Sequence, residues 1–273
     1  METRQLETEC GPFATALSAR LASETFAWSI AVKSVVPLSQ LRLQFLPDPC
    51  IRGPAELQNP REILLWLGAT HHLRSATLGS DAALRVDEAE MLLDAEESRR
   101  LARFLHAEDR MSYLAAHAGA RLLLGALTGQ AADRMRFETS PLGKPQLVDA
   151  PTGLDFSLSH ARGAVAVAAA YMPIGVDIEP LRQISDLDEL IEVALSPEER
   201  RTFARTPEAL RSRLFLRYWT LKEAILKAAG VGFSVSPHTL VVDAGSSPAV
   251  LAVPDALGPA EQWHIIAAGQ VRR

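Results

Sequence analysis

Apolar and polar residues alternate along the first patterned stretch of the chain. In "TFAWSIAV", from Thr25, the residues Phe26, Trp28, Ile30 and Val32 fall on one side and small or polar residues on the other. That period of two predicts a half-buried strand. The following "VPLSQLRLQFLPDPCIRGP" reads as strand and loop, closed by its prolines and glycine. The period then becomes helical in "LLDAEESRRLARFLHAEDRMSYLAAHAGARLLLGALTG". Asp94, with Glu97 three residues on, has the form of a capping box, and Leu101, Phe104 and Leu105 are spaced as on one helix face. His106 to Asp109 interrupts the pattern. A second helix is predicted from about Arg110 to Leu127, stopping at Gly129, where a residue of positive φ is expected.

"SPLGKPQLVDAP" is loop-rich, and "LDFSLSHARG" with "AVAVAAAYM" predicts two strands joined by a turn at Ala161 to Gly163. In "SPEER", Ser196 can cap a helix whose first position is Pro197, with Glu199 completing the box. Thr206 and Pro207 are expected to start the next helix in the same way, and it runs to Gly230. "HTLVVDA" and "WHIIAAG" predict strands in the tail. Strand and helix groups occur in both halves, with no short-period repeat, and the division is placed at residues 1–171 and 172–273, near Ala170 to Pro173.

The formal net charge of −5 argues against a nucleic-acid surface built on overall basicity. Two cysteines, Cys10 and Cys50, are too few for a disulfide framework and point to a reducing compartment. The N-terminus lacks an apolar signal core and no apolar run approaches the length of a bilayer span. The expectation is a cytoplasmic protein without membrane contact.

Candidate chemistry concentrates in "IGVDIEPL", where Asp177 and Glu179 alternate with Ile174, Val176 and Ile178. On a strand both carboxylates share a face and repel unless a cation lies between them, which suits Mg²⁺; an ordinary solvated strand face is the competing reading. A third acid, Glu223 in "WTLKEAILK", shares a helix face with Lys227 and with Trp219 one turn earlier, as a surface ion pair also would. Ser159 and His160 end an apolar strand, where both can bond a phosphate or a nucleoside. Being adjacent they face opposite ways, and with no G-x-S-x-G elbow a hydrolase triad is disfavoured. Lys144 in "GKP" sits in a loop held by glycine and proline, able to reach a phosphate or merely solvated. Arg99, Arg100 and Arg110 form either a solvated helix face or the basic wall of an anion pocket. His71, His72 and His117 lack the spacing of zinc ligands.

Taken in order, "GKP", "FSLSHARG", "IGVDIE" and "FLRYWTLKEAILKAAGVGF" resemble the 4'-phosphopantetheinyl transferases of the surfactin type, as does the helical "ARFLHAEDRMSYLAAHAGARLLLG". The resemblance implies an α+β monomer, a pseudo-dimer of two similar α/β halves with coenzyme A and Mg²⁺ in the cleft between them. The implied activity moves phosphopantetheine from coenzyme A to a serine of an apo acyl or peptidyl carrier protein, releasing 3',5'-ADP. By motif, Asp177, Glu179 and Glu223 would hold Mg²⁺. Lys144, Ser159 and His160 would contact the nucleotide of coenzyme A, Lys227 its reacting phosphates, and Arg100 and Arg110 fall near basic contacts of the family's first helix. Glu223, or a metal-bound water it orients, would be the general base, with Glu199 a weaker candidate acid. Ala161, Ala224 and Val231 depart from residues common in the family. A non-catalytic module binding coenzyme A or carrier protein is one rival; another Mg²⁺-dependent phosphotransferase is a second, though the chain has no G-x-x-x-x-G-K-S/T loop.

Overall fold

A computed structural model describes residues 26–46, 61–70 and 85–268; Cys10, Cys50, His71 and His72 lie outside them. The elements in chain order are β1 (Phe26–Lys33), β2 (Arg42–Leu46), β3 (Glu62–Ala69), α1 (Val86–Leu92), α2 (Ala95–Leu101) and α3 (Ala107–Thr128). There follow β4 (Phe137–Thr139), β5 (Pro145–Leu147), β6 (Asp155–Ala161), β7 (Ala164–Ala170) and β8 (Ile174–Pro180). The chain continues with α4 (Leu187–Ala194), α5 (Pro197–Ala204), α6 (Glu208–Ala229), β9 (Val241–Asp243), β10 (Ala249–Ala252) and β11 (Trp263–Ala268).

Two sheets face each other between two long helices. One is antiparallel in the order β11-β1-β8; the other runs β2-β3-β7-β6, with β2 and β3 parallel. Trp28, Ile30 and Val32 of β1 and Ile174, Val176 and Ile178 of β8 meet Ile63, Leu65 and Leu67 of β3 and the alanines of β7 in one buried cluster. The outer face of the β2-β3-β7-β6 sheet, with Trp66, Val165 and Val167, packs on α3 through Leu123 and Leu124. The outer face of the other sheet, with Ala31 and Ile265, packs on α6 through Phe215, Leu221 and Ile225. The result is an α+β fold of four layers.

β1 corrects the half-buried reading of "TFAWSIAV". From Ala27 to Val32 both of its faces are buried. The alternation is real, but the second side carries Ala27, Ser29 and Ala31, small enough for α6 to lie against them. Ser29 Oγ reaches Thr220 Oγ1 at 3.0 Å. Sequence position also misleads here: β1 comes from the start of the chain yet is the centre of the sheet built with β8 and β11.

Local signals hold at most helix ends. Asp94 accepts from the N–H of Glu96 and Glu97, and Glu97 accepts from that of Asp94. Ser196 and Glu199 form the second box behind Pro197. Gly129 and Gly230, at φ 71° and 66°, end α3 and α6 in the left-handed region. α3 begins three residues ahead of expectation, at Ala107, because the N–H of Arg110 bonds His106 O, and Glu108 and Asp109 suit a helix N-terminus. Thr206 does not cap α6. Its hydroxyl donates back to Thr202 O, leaving Pro207 as the N-cap rather than the first helical residue.

The two long helices echo each other. α3 and α6 each have 22 residues and a left-handed glycine after them. Each carries a fully buried cation at the same offset from its start, Arg121 in α3 and Lys222 in α6. Each cation pairs with the glutamate of the capping box on the preceding short helix, Arg121 with Glu97 at 2.6 Å and Lys222 with Glu199 at 2.5 Å.

Candidate active site

The site begins with how β8 is held. β1 pairs with one edge of β8, and at the other edge no strand among the described residues takes the N–H groups of Ile174, Val176 and Ile178. They donate instead to side chains that alternate along β6: Asp155 Oδ2 at 2.9 Å, Ser157 Oγ at 3.1 Å and Ser159 Oγ at 3.4 Å. Strand period two places these three β6 residues on one face, so a row of side chains does the work of a neighbouring strand. It joins the two sheets.

Gly175, Asp177 and Glu179 share the β8 face that looks to α6. At Gly175 an added Cβ would stand 2.0 Å from Ala224 O and 2.4 Å from Ala228 N, so strand and helix backbones touch. This contact brings the last turns of α6 over the acids. Lys227 Nζ lies 2.6 Å from Asp177 Oδ1 and 3.1 Å from Ser159 Oγ, and the serine hydroxyl donates to the same Asp177 oxygen at 2.8 Å. Asp177 is 4% exposed.

Two buried carboxylate oxygens, Asp177 Oδ2 and Glu223 Oε1, have no hydrogen-bond partner among the described residues. Burial raises the pKa of Glu223, and the charge of Asp177 adds to this while Lys227 opposes it. Burial and then Asp177 push Glu179 up to about 7, against Arg182 and Lys227. The three acids therefore feel one another's fields and share a deficit of positive charge. Among the described residues, no group of three or more His, Cys, Asp or Glu is arranged to hold a metal ion. Even so, hard carboxylate oxygens of neighbouring acids are the donor type that Mg²⁺ takes, and in this respect the residues fit it.

The remaining candidates are dispersed. His160 points away from Ser159, edge-on to Tyr113 at 5.8 Å, and burial followed by the charges of His117 and Lys227 pushes its pKa down to about 4. No Ser-His pair is formed, since the Ser159 hydroxyl is given to Asp177. Arg100 lines a cleft with Tyr113, His117, Phe137, Pro145 and Phe156, and its guanidinium is 3.4 Å from Glu96. Arg110 pairs with Glu90 of α1 at 2.8 Å and Arg99 with Glu96 at 2.5 Å. His117 stacks on Tyr113 and bonds Glu97 at 2.8 Å. Lys144 is folded inward on Asp155, and burial lowers its pKa while Asp155 opposes the shift. Glu199 serves structure, receiving the N–H of Ser196 and Val242 and the ammonium of Lys222. Asp155 and Ser157 were not singled out from sequence. The polar alternation of "DFSLS" was their signal.

Carboxylates and an ammonium are thus gathered on one strand and on the helix packed against it. Residues 84–172 match the family profile described as 4'-phosphopantetheinyl transferase, N-terminal, and residues 173–270 match the 4'-phosphopantetheinyl transferase superfamily. The chain belongs to that family. It is 37% identical over 145 residues to the 4'-phosphopantetheinyl transferase HetI of a Nostoc species, covering 52% of this chain and 61% of that one. It is 28% identical over 143 residues to Sfp of Bacillus subtilis, covering 52% and 62%, and 26% identical over 163 residues to the L-aminoadipate-semialdehyde dehydrogenase-phosphopantetheinyl transferase of Mus musculus, covering 55% and 52%. The matched stretch thus spans about three-fifths of the first two relatives and half of the third.

Proposed function

We propose that this chain transfers 4'-phosphopantetheine from coenzyme A to a serine of an apo acyl or peptidyl carrier protein. The oxygen–phosphorus bond to the serine forms as the pyrophosphate bond breaks, and 3',5'-ADP leaves. The observation that carries the reading is the cluster of Asp177, Ser159 and Lys227 beside two buried, unpartnered carboxylate oxygens on Asp177 and Glu223. The relatives' names support the same chemistry.

Asp177 and Glu223, with Glu179, are the residues that would hold Mg²⁺. When bound it supplies charge neutralisation at the pyrophosphate. Lys227, now spread between Asp177 and Ser159, offsets charge on the phosphate that is transferred. Glu223 accepts the proton of the carrier serine, a role suited to a carboxylate made more basic by burial. His160, held neutral, and Arg100, on the rim of its cleft, are assigned to the nucleotide end of coenzyme A. Arg110, tied to Glu90, is at most a peripheral contact. We read the protein as a cytoplasmic monomer divided at residues 171 and 172. Supporting the division, the two family matches meet between residues 172 and 173.

The test is incubation with coenzyme A, Mg²⁺ and an apo carrier protein, read by mass spectrometry. The expected result is a phosphopantetheine-sized gain on the carrier serine, abolished in Asp177→Ala and Glu223→Gln variants that keep the native circular dichroism. No gain with the unaltered protein and a range of carriers defeats the transfer reading. Undiminished transfer in either variant defeats the residue assignment.

A further inference from the structure

Lys144 is the cation that the family resemblance would give to the nucleotide of coenzyme A, yet its ammonium is engaged inside the protein. Nζ donates to Asp155 Oδ2 at 2.5 Å, to Ile174 O at 3.0 Å and to Ala228 O at 3.5 Å. These acceptors match the three donors of an ammonium group, and 11% of the side chain is exposed. The same Asp155 oxygen takes the N–H of Ile174 at 2.9 Å. Lys144 and Asp155 together therefore grip both the N–H and the C=O of the first residue of β8, and the ammonium also reaches the last turn of α6.

That grip lies beside the chemistry. Ile174 is three residues ahead of Asp177, Ala228 directly follows Lys227, and between the two gripped points the backbones of β8 and α6 touch at Gly175. A shift of either element by a fraction of an ångström changes the 2.6 Å contact of Lys227 with Asp177.

We propose that Lys144 and Asp155 form a positioning pair, which sets the register of β8 against α6 and so holds Asp177, Glu223 and Lys227 in their working arrangement, in place of a direct contact between Lys144 and the ligand. This rests on the transfer reading above. The two roles differ in what they demand of Asp155. A ligand contact needs only the lysine, whereas a positioning pair needs both members, and loss of one leaves the other buried and uncompensated. A neutral double variant is then less impaired than either single one.

The experiment uses the full chain with Lys144→Met, Asp155→Asn and the double variant. It measures transfer kinetics, the calorimetric Kd for coenzyme A without carrier, and amide exchange at Ile174. Each single variant is expected to lower kcat about tenfold or more, to move Kd by less than about threefold and to accelerate exchange at Ile174, with part of the kcat recovered in the double variant. A Kd weakened about tenfold by Lys144→Met, with kcat and exchange unchanged and Asp155→Asn behaving as the parent, overturns the pair. If the parent protein transfers nothing, the functional reading fails by itself, and exchange at Ile174 still decides the grip: unchanged exchange in both single variants refutes it. If a single variant does not fold, the double variant decides, lowered kcat with kept affinity supporting the pair and lost affinity overturning it.

Discussion

His160 and Glu97 are pulled in the same thermodynamic direction by different causes. Burial, then the charges of His117 and Lys227, hold His160 neutral down to about pH 4 against an ordinary value of 6.5. Burial alone would raise Glu97, but bonds from His117, the Asp94 N–H and Arg121 outweigh it and bring the carboxyl to about 2 from 4.5. In each case the unfolded chain takes up its proton first. Stability from His160 is complete above pH 6.5 and lost as pH falls toward 4; that from Glu97 is complete above 4.5 and lost toward 2. Urea unfolding across this range is expected to decline in two steps, and His160→Phe should remove the upper one, worth at most about 3 kcal/mol. An upper step that survives the substitution would place the titration elsewhere. At this scale the shared face of Asp177 and Glu179 was legible, because a strand's period fixes it. The burial of Lys144 was not, since one of its partners lies 84 residues further along the chain.

Elements show the same division between local and distant signals. The capping boxes at Asp94 and Ser196 and the terminal glycines were readable because every atom involved lies within a few residues. The depth of β1 was not, since alternation reports that two faces differ and is silent on what covers the second. Nor did "IGVDIE" reveal that its glycine is a contact point. Gly175→Ala would set a methyl group against backbone atoms of α6 that have no rotamer to yield. The expected cost is about 3 kcal/mol or more, at or above the usual range for overpacking, with Lys227 drawn off Asp177. Equilibrium denaturation checks this, and a midpoint equal to that of the parent would contradict the close approach.

Across the whole molecule, the family matches begin at residue 84, yet the sheet that carries Asp177 is completed by residues 26–33. Removing the chain through Lys33 would strip the middle strand from the β11-β1-β8 sheet and leave β8 and β11 with unpaired edges. The truncated protein is expected to lose cooperative unfolding and to associate, as sedimentation would register; a cooperative monomer would refute the central role of β1. The echo between the halves was visible in sequence only as alternating groups of strands and helices. Its firmest mark is the buried cation, Arg121 in one half and Lys222 in the other, each against a capping glutamate. Deleting one member of such a pair strands a buried charge at about 3–5 kcal/mol, so a lineage changing one residue at a time meets a barrier at these sites that it does not meet on the surface. Exchange of one cation for another would keep the charge but not the bonds, since Arg121 also reaches Asp94, Ala132 O and Met135 O whereas Lys222 reaches Ala194 O and Pro237 O. Inside each half the buried ion pair is therefore the place where a single substitution is expected to cost most, and the clefts and acids around it cost less.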